Sequence, residues 1–500
     1  MIGVLVLALC TLSLLKFVHF RHRFVRALKS VPGPPGVPIL GNTIELLRCD
    51  TTELHDKVVL WTSQYGPRVK VDLCNTHWIM HTSPELVEQI VTNATFNRKA
   101  KDYEYMHEWL GIGILLDHGP NWFKHRKALT EAFHFKVLEN FMPIYQEQSE
   151  ILVGKLLEFG GRAVDVFPVL KLYTLDVILE TAMGVRCRAQ ENDSDYVRAV
   201  AGLTQITFWR MYNILGQSDL AFRFSRFYRP YREMLKVSND FTMSVIRRRR
   251  SEMESGAGQS PETAEQLEGS KRRSALLDKL LRMEIDGRKL TDEEIRDQVN
   301  SFMFAGHDTT SSALTFILYL LAKHPDVQRK LYKEVKEVFG ENKHPTFTQS
   351  TLNNLKFMDQ VIKEALRLYP SVPYVSRTVD ADTELAGVTY PAGTTISLGI
   401  YFMHHNPAYF AEPTRFKPER FAPDVEQIER KHPYVYIPFS AGSRNCIGQK
   451  FAMNEMKTAV SHVILRCEVE LEDPDFVPRL KDELILKPSD GMPIKFFARE

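Results

Sequence analysis

Ten residues near the carboxyl end constrain this chain more than any other segment: Phe439-Ser440-Ala441-Gly442-Ser443-Arg444-Asn445-Cys446-Ile447-Gly448. Glycines at 442 and 448 let a backbone approach a flat cofactor closely. Amides near Cys446 can then donate to its sulfur, which lowers the thiolate pKa and tunes a metal bound there. Arg444 offers a cation with a fork suited to a carboxylate. The residues that follow, Lys450, Phe451, Ala452, Met453 and Glu455, have a helical pattern, so a helix N-terminus should face the thiolate. A lone cysteine is ordinarily a small buried hydrophobe. The ten-residue pattern around Cys446 outweighs that reading.

A second constraint is a long helix beginning at Thr291. Thr291 and Glu294 form a capping box, each satisfying an orphan backbone donor. The pattern continues to Lys323-His324 and Pro325 stops it. More than about 30 residues at 1.5 Å rise give a rod of roughly 50 Å, long enough to cross the molecule. Midway lies Ala305-Gly306-His307-Asp308-Thr309-Thr310, polar within an apolar rod flanked by Phe302, Met303, Phe304, Leu314, Phe316 and Ile317. Such residues need a reason. Gly306 and back-bonding hydroxyls are expected to distort the helix and open a groove. A further helix should run from about Asn354 to Tyr369, ended by Pro370, and an alternating stretch at 69–73 suggests a strand.

Bulk properties fit a globular protein with a large core: 500 residues, 44% hydrophobic and 25% charged. Lys plus Arg is 64 against 62 for Asp plus Glu, a balance that argues against nucleic-acid binding. The six cysteines form no C-x-x-C pair and are too sparse for a disulfide framework, which fits a reducing compartment. No strand-linked G-x-G-x-x-G is present: Gly111-Ile112-Gly113 meets Leu116 where the third glycine would stand. Residues 254–273 are polar and Gly/Ser-rich, as a surface loop.

Residues 1–20 form an apolar run interrupted by Lys16, followed by Arg21, Arg23, Arg26 and Lys29. This predicts a membrane anchor helix with the bulk of the chain facing the cytosol. A cleaved signal peptide is the competing reading, and the missing n-region charge and cleavage site count against it. Residues 21–41 are expected to be a basic stop-transfer segment and a stiff proline-rich hinge, and 42–500 the catalytic domain.

The segment 439–448 resembles the haem-binding signature of cytochromes P-450, Phe-x-x-Gly-x-Arg-x-Cys-x-Gly. Three further motifs match in order: Ala305–Thr310, Glu364-Ala365-Leu366-Arg367 with Phe416–Phe421, and Trp122-Phe123-Lys124-His125-Arg126. The details at 302–310 and 438–449 are similar to family 4, whose animal members often hydroxylate fatty acids and related lipids. The resemblance implies the cytochrome P-450 fold, mainly α with small β-sheets (α+β). It implies Cys446 as the metal ligand of haem b, and Phe439, Gly442, Arg444 and Gly448 as haem-binding residues. It assigns Asp308 and Thr309 to proton delivery, Ala305 and Gly306 to the haem face of the long helix, and Trp122, Arg126 and Arg377 to the haem propionates. Glu364, Arg367 and Arg420 would form a structural triad. Many relatives carry Glu where this chain has Ala305, and that Glu can become ester-linked to haem; Ala305 predicts a non-covalent haem.

The implied activity is a haem-thiolate monooxygenase that inserts one oxygen atom from O2 into an apolar substrate. The implied substrate is a fatty acid or related lipid, with terpenoids and xenobiotics open. The implied electron donors are NADPH–cytochrome P-450 reductase and cytochrome b5, at the cytosolic face of the endoplasmic reticulum membrane. Lys124, Lys127 and Lys450 would contribute to a basic docking patch. Segments 98–120, 203–235 and 370–377 would shape the substrate pocket. Two alternatives stand beside this reading: a reductase-independent isomerase or dehydratase of lipid peroxides, and a non-catalytic haem carrier or sensor.

Overall fold

A computed structural model describes the chain except residues 1, 75, 193, 256–274, 341–344, 426–431 and 500. Most of the 254–273 loop therefore lies outside the described residues. The architecture is mainly helical with small sheets, as the sequence implies. Its spine is the helix Asp292–Lys323, 32 residues long. Thr291 is its N-cap, and the capping box with Glu294 forms as expected. Leu314, Phe316, Ile317, Leu318 and Leu321 on this helix are almost wholly buried, because neighbours surround it on every side. The helices Val166–Thr181, Lys356–Leu368 and Gln449–Arg466 all pack against it. Pro325 ends the spine by opening the next helix, Pro325–Phe339, at its first position, where a missing N–H costs nothing.

The largest sheet has four strands in the order Arg68–Asp72, His77–His81, Thr395–Gly399, Tyr374–Thr378. The central pair is parallel, with Trp78 opposite Thr395, and the outer pairs are antiparallel. A small hairpin, Leu480–Asp482 with Leu486–Pro488, reaches toward the middle of the spine: Ser312 Oγ donates to the Leu486 carbonyl at 2.7 Å.

The amino terminus is helical over Ile2–Ala27. Val4, Leu5, Leu7, Leu12 and Leu15 are exposed. Among the described residues no helix is long and apolar enough to cross a membrane. The last turns of this helix dock on the body. Arg21 is buried and pairs with Asp72 at 2.8 Å, and Phe24 is buried beside Ile79 and Tyr390. The proline segment is docked too: the Lys70 amide donates to the Pro32 carbonyl at 2.8 Å, and Val37 and Gly41 bridge to each other. Extended proline-rich backbone keeps its carbonyls free, so it serves as an acceptor edge for a strand as readily as a free linker.

Candidate active site

The cysteine loop is fixed by its own backbone. The Cys446 amide donates to the Phe439 carbonyl at 2.9 Å, and the Asn445 amide to Gly442 at 3.2 Å. Ser440 and Gly442 have φ of 57° and 70°. The helix Gln449–Arg466 starts three residues after Cys446, so its N-terminus faces the sulfur. Burial pushes the Cys446 thiol up, against the opposing pull of the Gly448 amide and Arg126.

Cys446 is exposed and lines a cavity of about 330 Å³. Phe439, Arg444, Ile447 and Gly448 line the cysteine side, and Ala305, Gly306, Thr309 and Ala313 of the long helix line another. Trp122 and Arg126 are at the wall, on the helix Gly119–Thr130. The expected segments contribute Met106, Ile114, Phe208, Met211 and Tyr374, among others. The sequence reading missed two sources. Glu483, Leu484 and Ile485 enter from the tip of the small hairpin, and Leu54, Trp61 and Trp78 from the amino-terminal third. Local patterning marks these as core or turn; only the folded chain brings them here.

Several expected residues serve in ways their motifs do not reveal. Gly442 does not border the cavity. A Cβ there would lie 2.0 Å from the Val91 carbonyl oxygen, so its role is close approach to the helix Pro84–Thr92. Gly448 does border it, with ordinary space: a Cβ would sit 3.9 Å from Cys446 Sγ. At Gly306 a Cβ would lie 2.8 Å from Ile178, so this glycine seats the helix Val166–Thr181 against the spine. The expected distortion leaves no break in the spine helix. Thr309 Oγ1 donates to the Ala305 carbonyl at 2.7 Å, one turn back.

Asp308 faces away from the cavity and is fully buried. Lys171 Nζ lies 2.6 Å from one carboxylate oxygen and Lys487 Nζ 3.7 Å from the other. Burial pushes the Asp308 carboxyl up, but the two ammonium groups prevail and hold it below the usual range. Lys487 in turn pairs with Glu483 at 2.7 Å. The Glu364 triad forms as implied: Arg367 grips Glu364 with two bonds of 2.7 and 2.8 Å, and Arg420 adds a third at 3.3 Å.

The cations near the cavity rim are informative because they lack carboxylates. Arg444 donates to the Asn97 carbonyl at 3.1 Å, to Asn97 Oδ1 at 3.0 Å and to the Asp117 carbonyl, and lies 4.0 Å above the Trp122 ring. Its Nη1 is buried without a partner. Burial and the nearby Arg377 press its pKa down to about 9. Lys99 is also driven down, by burial, Arg377 and Arg444. Arg377 is buried behind the wall, with Nη1 on the Ser376 carbonyl at 3.0 Å. Arg126 reaches Asn445 Oδ1 at 2.7 Å. The Trp122 indole N–H is committed to the Ile114 carbonyl at 3.0 Å, so this ring supports Arg444 rather than offering a donor.

Clustered, largely half-buried cations with one buried, orphaned N–H call for an anion. A predominantly apolar cavity, with a thiol and cations in its lining, fits a haem with its two carboxylates. The family model for cytochrome P450 matches residues 31–496.

The chain belongs to the cytochrome P450 family.

Cytochrome P450 4d2 of Drosophila melanogaster is 40% identical over 498 residues, covering 98% of each chain. Cytochrome P450 4c3 of the same species is 38% identical over 495 residues, covering 96% of this chain and 91% of the relative. Among solved structures, the cytochrome P450DA haem domain superposes with a TM-score of 0.78 at 26% identity, covering 94% of this chain and 98% of that one. This P450 is thus a haem-thiolate monooxygenase related to family 4, with haem b held non-covalently. Ala305, at the cavity wall, carries no carboxylate with which to esterify it.

Proposed function

We propose that this P450 hydroxylates apolar lipids, of the size of fatty acids or terpenoids, with electrons from NADPH delivered by a separate flavoprotein reductase and by cytochrome b5. The observation that carries this reading is the cavity itself: a predominantly apolar chamber with Cys446 on one side and Thr309 on another. Haem ligated by a thiolate supplies oxygen activation, because the sulfur's electron density favours O–O cleavage over reversible binding. Cys446 is the ligand. Arg444 and Arg126, with Lys99 beside them, would hold the haem carboxylates, and Arg377 would add its charge from behind the wall. Phe439, Gly442 and Gly448 shape the loop, and Trp122 braces Arg444.

Thr309 passes a proton into the cavity from its hydroxyl by leaving its bond to the Ala305 carbonyl. Asp308 acts from behind it, releasing or accepting a proton when its pairing with Lys171 loosens. The retained Asp308-Thr309 pair favours the monooxygenase over a peroxide isomerase or a passive haem carrier. Lys124, Lys127 and Lys450 are exposed and suit an acidic electron donor, although Lys124 is shared with Asp286 at 2.5 Å. The exposed leucines of Ile2–Ala27 suit a membrane surface, and we place the protein at the endoplasmic reticulum facing the cytosol.

The test is reconstitution with reductase, NADPH and a panel of fatty acids and terpenoids. Hydroxylated product that requires reductase is expected. Turnover without reductase would support the isomerase instead. Cys446→Ser should abolish the red-shifted Soret band of the ferrous carbonyl form; retention of that band would sink the assignment of the ligand.

A further inference from the structure

The cavity wall holds one carboxylate that has no hydrogen-bond or ion-pair partner among the described residues. Asp102 sits on the 3-10 turn Lys101–Met106, against the helix Asp195–Tyr212. It lines the cavity beside Met106, Met211 and Tyr212. No hydrogen bond or ion pair among the described residues engages it; the charges that act on it are Lys101 and Glu104. The other carboxylate at the wall, Glu483, is neutralised by Lys487 at 2.7 Å and Lys481 at 3.4 Å. Lys99, the lysine at the wall, lies over the Tyr103 ring at 4.9 Å and is coupled to Arg377 and Arg444, the set that faces the haem carboxylates. Tyr212 and Tyr374 hydroxyls bond each other at 3.0 Å, which commits one of their two O–H groups.

We infer that Asp102 determines the polarity of the substrate: the cavity takes an apolar molecule carrying a hydroxyl and turns away the free carboxylate of a fatty acid. The inference rests on the monooxygenase reading and narrows its substrate class. A carboxylate in a desolvated wall repels a second carboxylate, because like charges in low dielectric are not screened. It welcomes a hydroxyl, whose O–H would donate to the unpartnered oxygen. Burial pushes the Asp102 carboxyl up to about 6, which still leaves it ionised at neutral pH.

The experiment uses the full-length holoenzyme and three matched ligands: decanol, methyl decanoate and decanoate. Binding is read at pH 7.5 by the haem spin-state shift and independently by equilibrium dialysis. Wild type should bind decanol about tenfold more tightly than decanoate, with the ester between. Asp102→Asn keeps an acceptor and loses the charge; decanoate should tighten about tenfold while decanol changes little. Asp102→Leu should bring decanol down to the ester's level, and Asp102→Glu should restore the wild-type order. Equal binding of decanoate and decanol by wild type would overturn the inference. So would an unchanged ratio in both Asp102→Asn and Asp102→Leu, or decanoate binding that Lys99→Met abolishes. A wild-type preparation lacking the thiolate Soret band would fail separately, by removing the haem-thiolate reading itself.

Discussion

Replacing Lys171 by methionine removes the closer partner of a fully buried carboxylate and leaves the packing volume nearly unchanged. Lys171 Nζ is 2.6 Å from Asp308 and Lys487 Nζ 3.7 Å, both inside the core. At an effective dielectric of about 20, unit charges at those separations attract by roughly 6 and roughly 4.5 kcal/mol. Breaking a buried pair by deleting one member costs about 3–5 kcal/mol, since the survivor is stranded. Lys487 remains, so Lys171→Met should cost about 3 kcal/mol, the lower end of that range. Asp308→Asn removes the stranded charge, so the double variant should recover about 2 kcal/mol of the loss predicted by adding the two singles. The pH dependence has a definite sign. The folded Asp308 carboxyl lies below its unfolded value, so the pair contributes stability above that unfolded value and loses it as pH falls through the folded one. Lys171→Met should lose that contribution at a higher pH than wild type. Urea unfolding of the four holoproteins, followed by the Soret band and far-ultraviolet circular dichroism, measures all of this. Strictly additive effects of the two substitutions would refute the coupling.

Arg367→Ala should fail to yield a holoprotein with the ferrous-carbonyl Soret band. It deletes the fork on Glu364 and orphans the His404 and Pro413 carbonyls, held at 2.9 and 2.7 Å, a loss comparable with the total stability of a folded domain. Gly442→Ala should destabilise by roughly 3 kcal/mol, through overlap with the Val91 carbonyl and a positive φ, whereas Gly448→Ala should fold like wild type; thermal melts of the two variants discriminate. Burial lowers His81 to about 3 and His307 and His405 to about 4, from 6.5. Each stays neutral when folded and takes a proton when unfolded, so stability should fall as pH drops from 6.5 toward 4, by up to about 1.4 kcal/mol per pH unit for each. A flat unfolding midpoint across that range would count against their burial.

The cysteine loop, the long capped helix and the Glu364–Arg367 pair were legible from local sequence because each is specified by neighbours along the chain. Hydrogen-bond closure from Cys446 to Phe439, the box of Thr291 and Glu294, and a three-residue helical spacing are all short-range. The direction in which a polar side chain faces is different. Asp308 and Thr309 are adjacent, and adjacent helical residues point about 100° apart, so the two need not share a face: Thr309 lines the cavity and Asp308 does not. Sequence marked both as functional. Which one turns inward depends on Lys171 and Lys487, which stand 137 and 179 residues away in the chain. In the same way, a glycine motif states only that a Cβ is not tolerated. That Gly442 yields to a helix, Gly306 to Ile178 and neither to a cofactor alone is decided by what the fold sets against each. The family was written in contiguous residues, and so was the ligand proposed for the haem iron, Cys446. The polarity of the substrate wall, with Asp102 bare and Glu483 neutralised, arose only from folding, because desolvation and ion pairing are properties of surroundings and not of spacing.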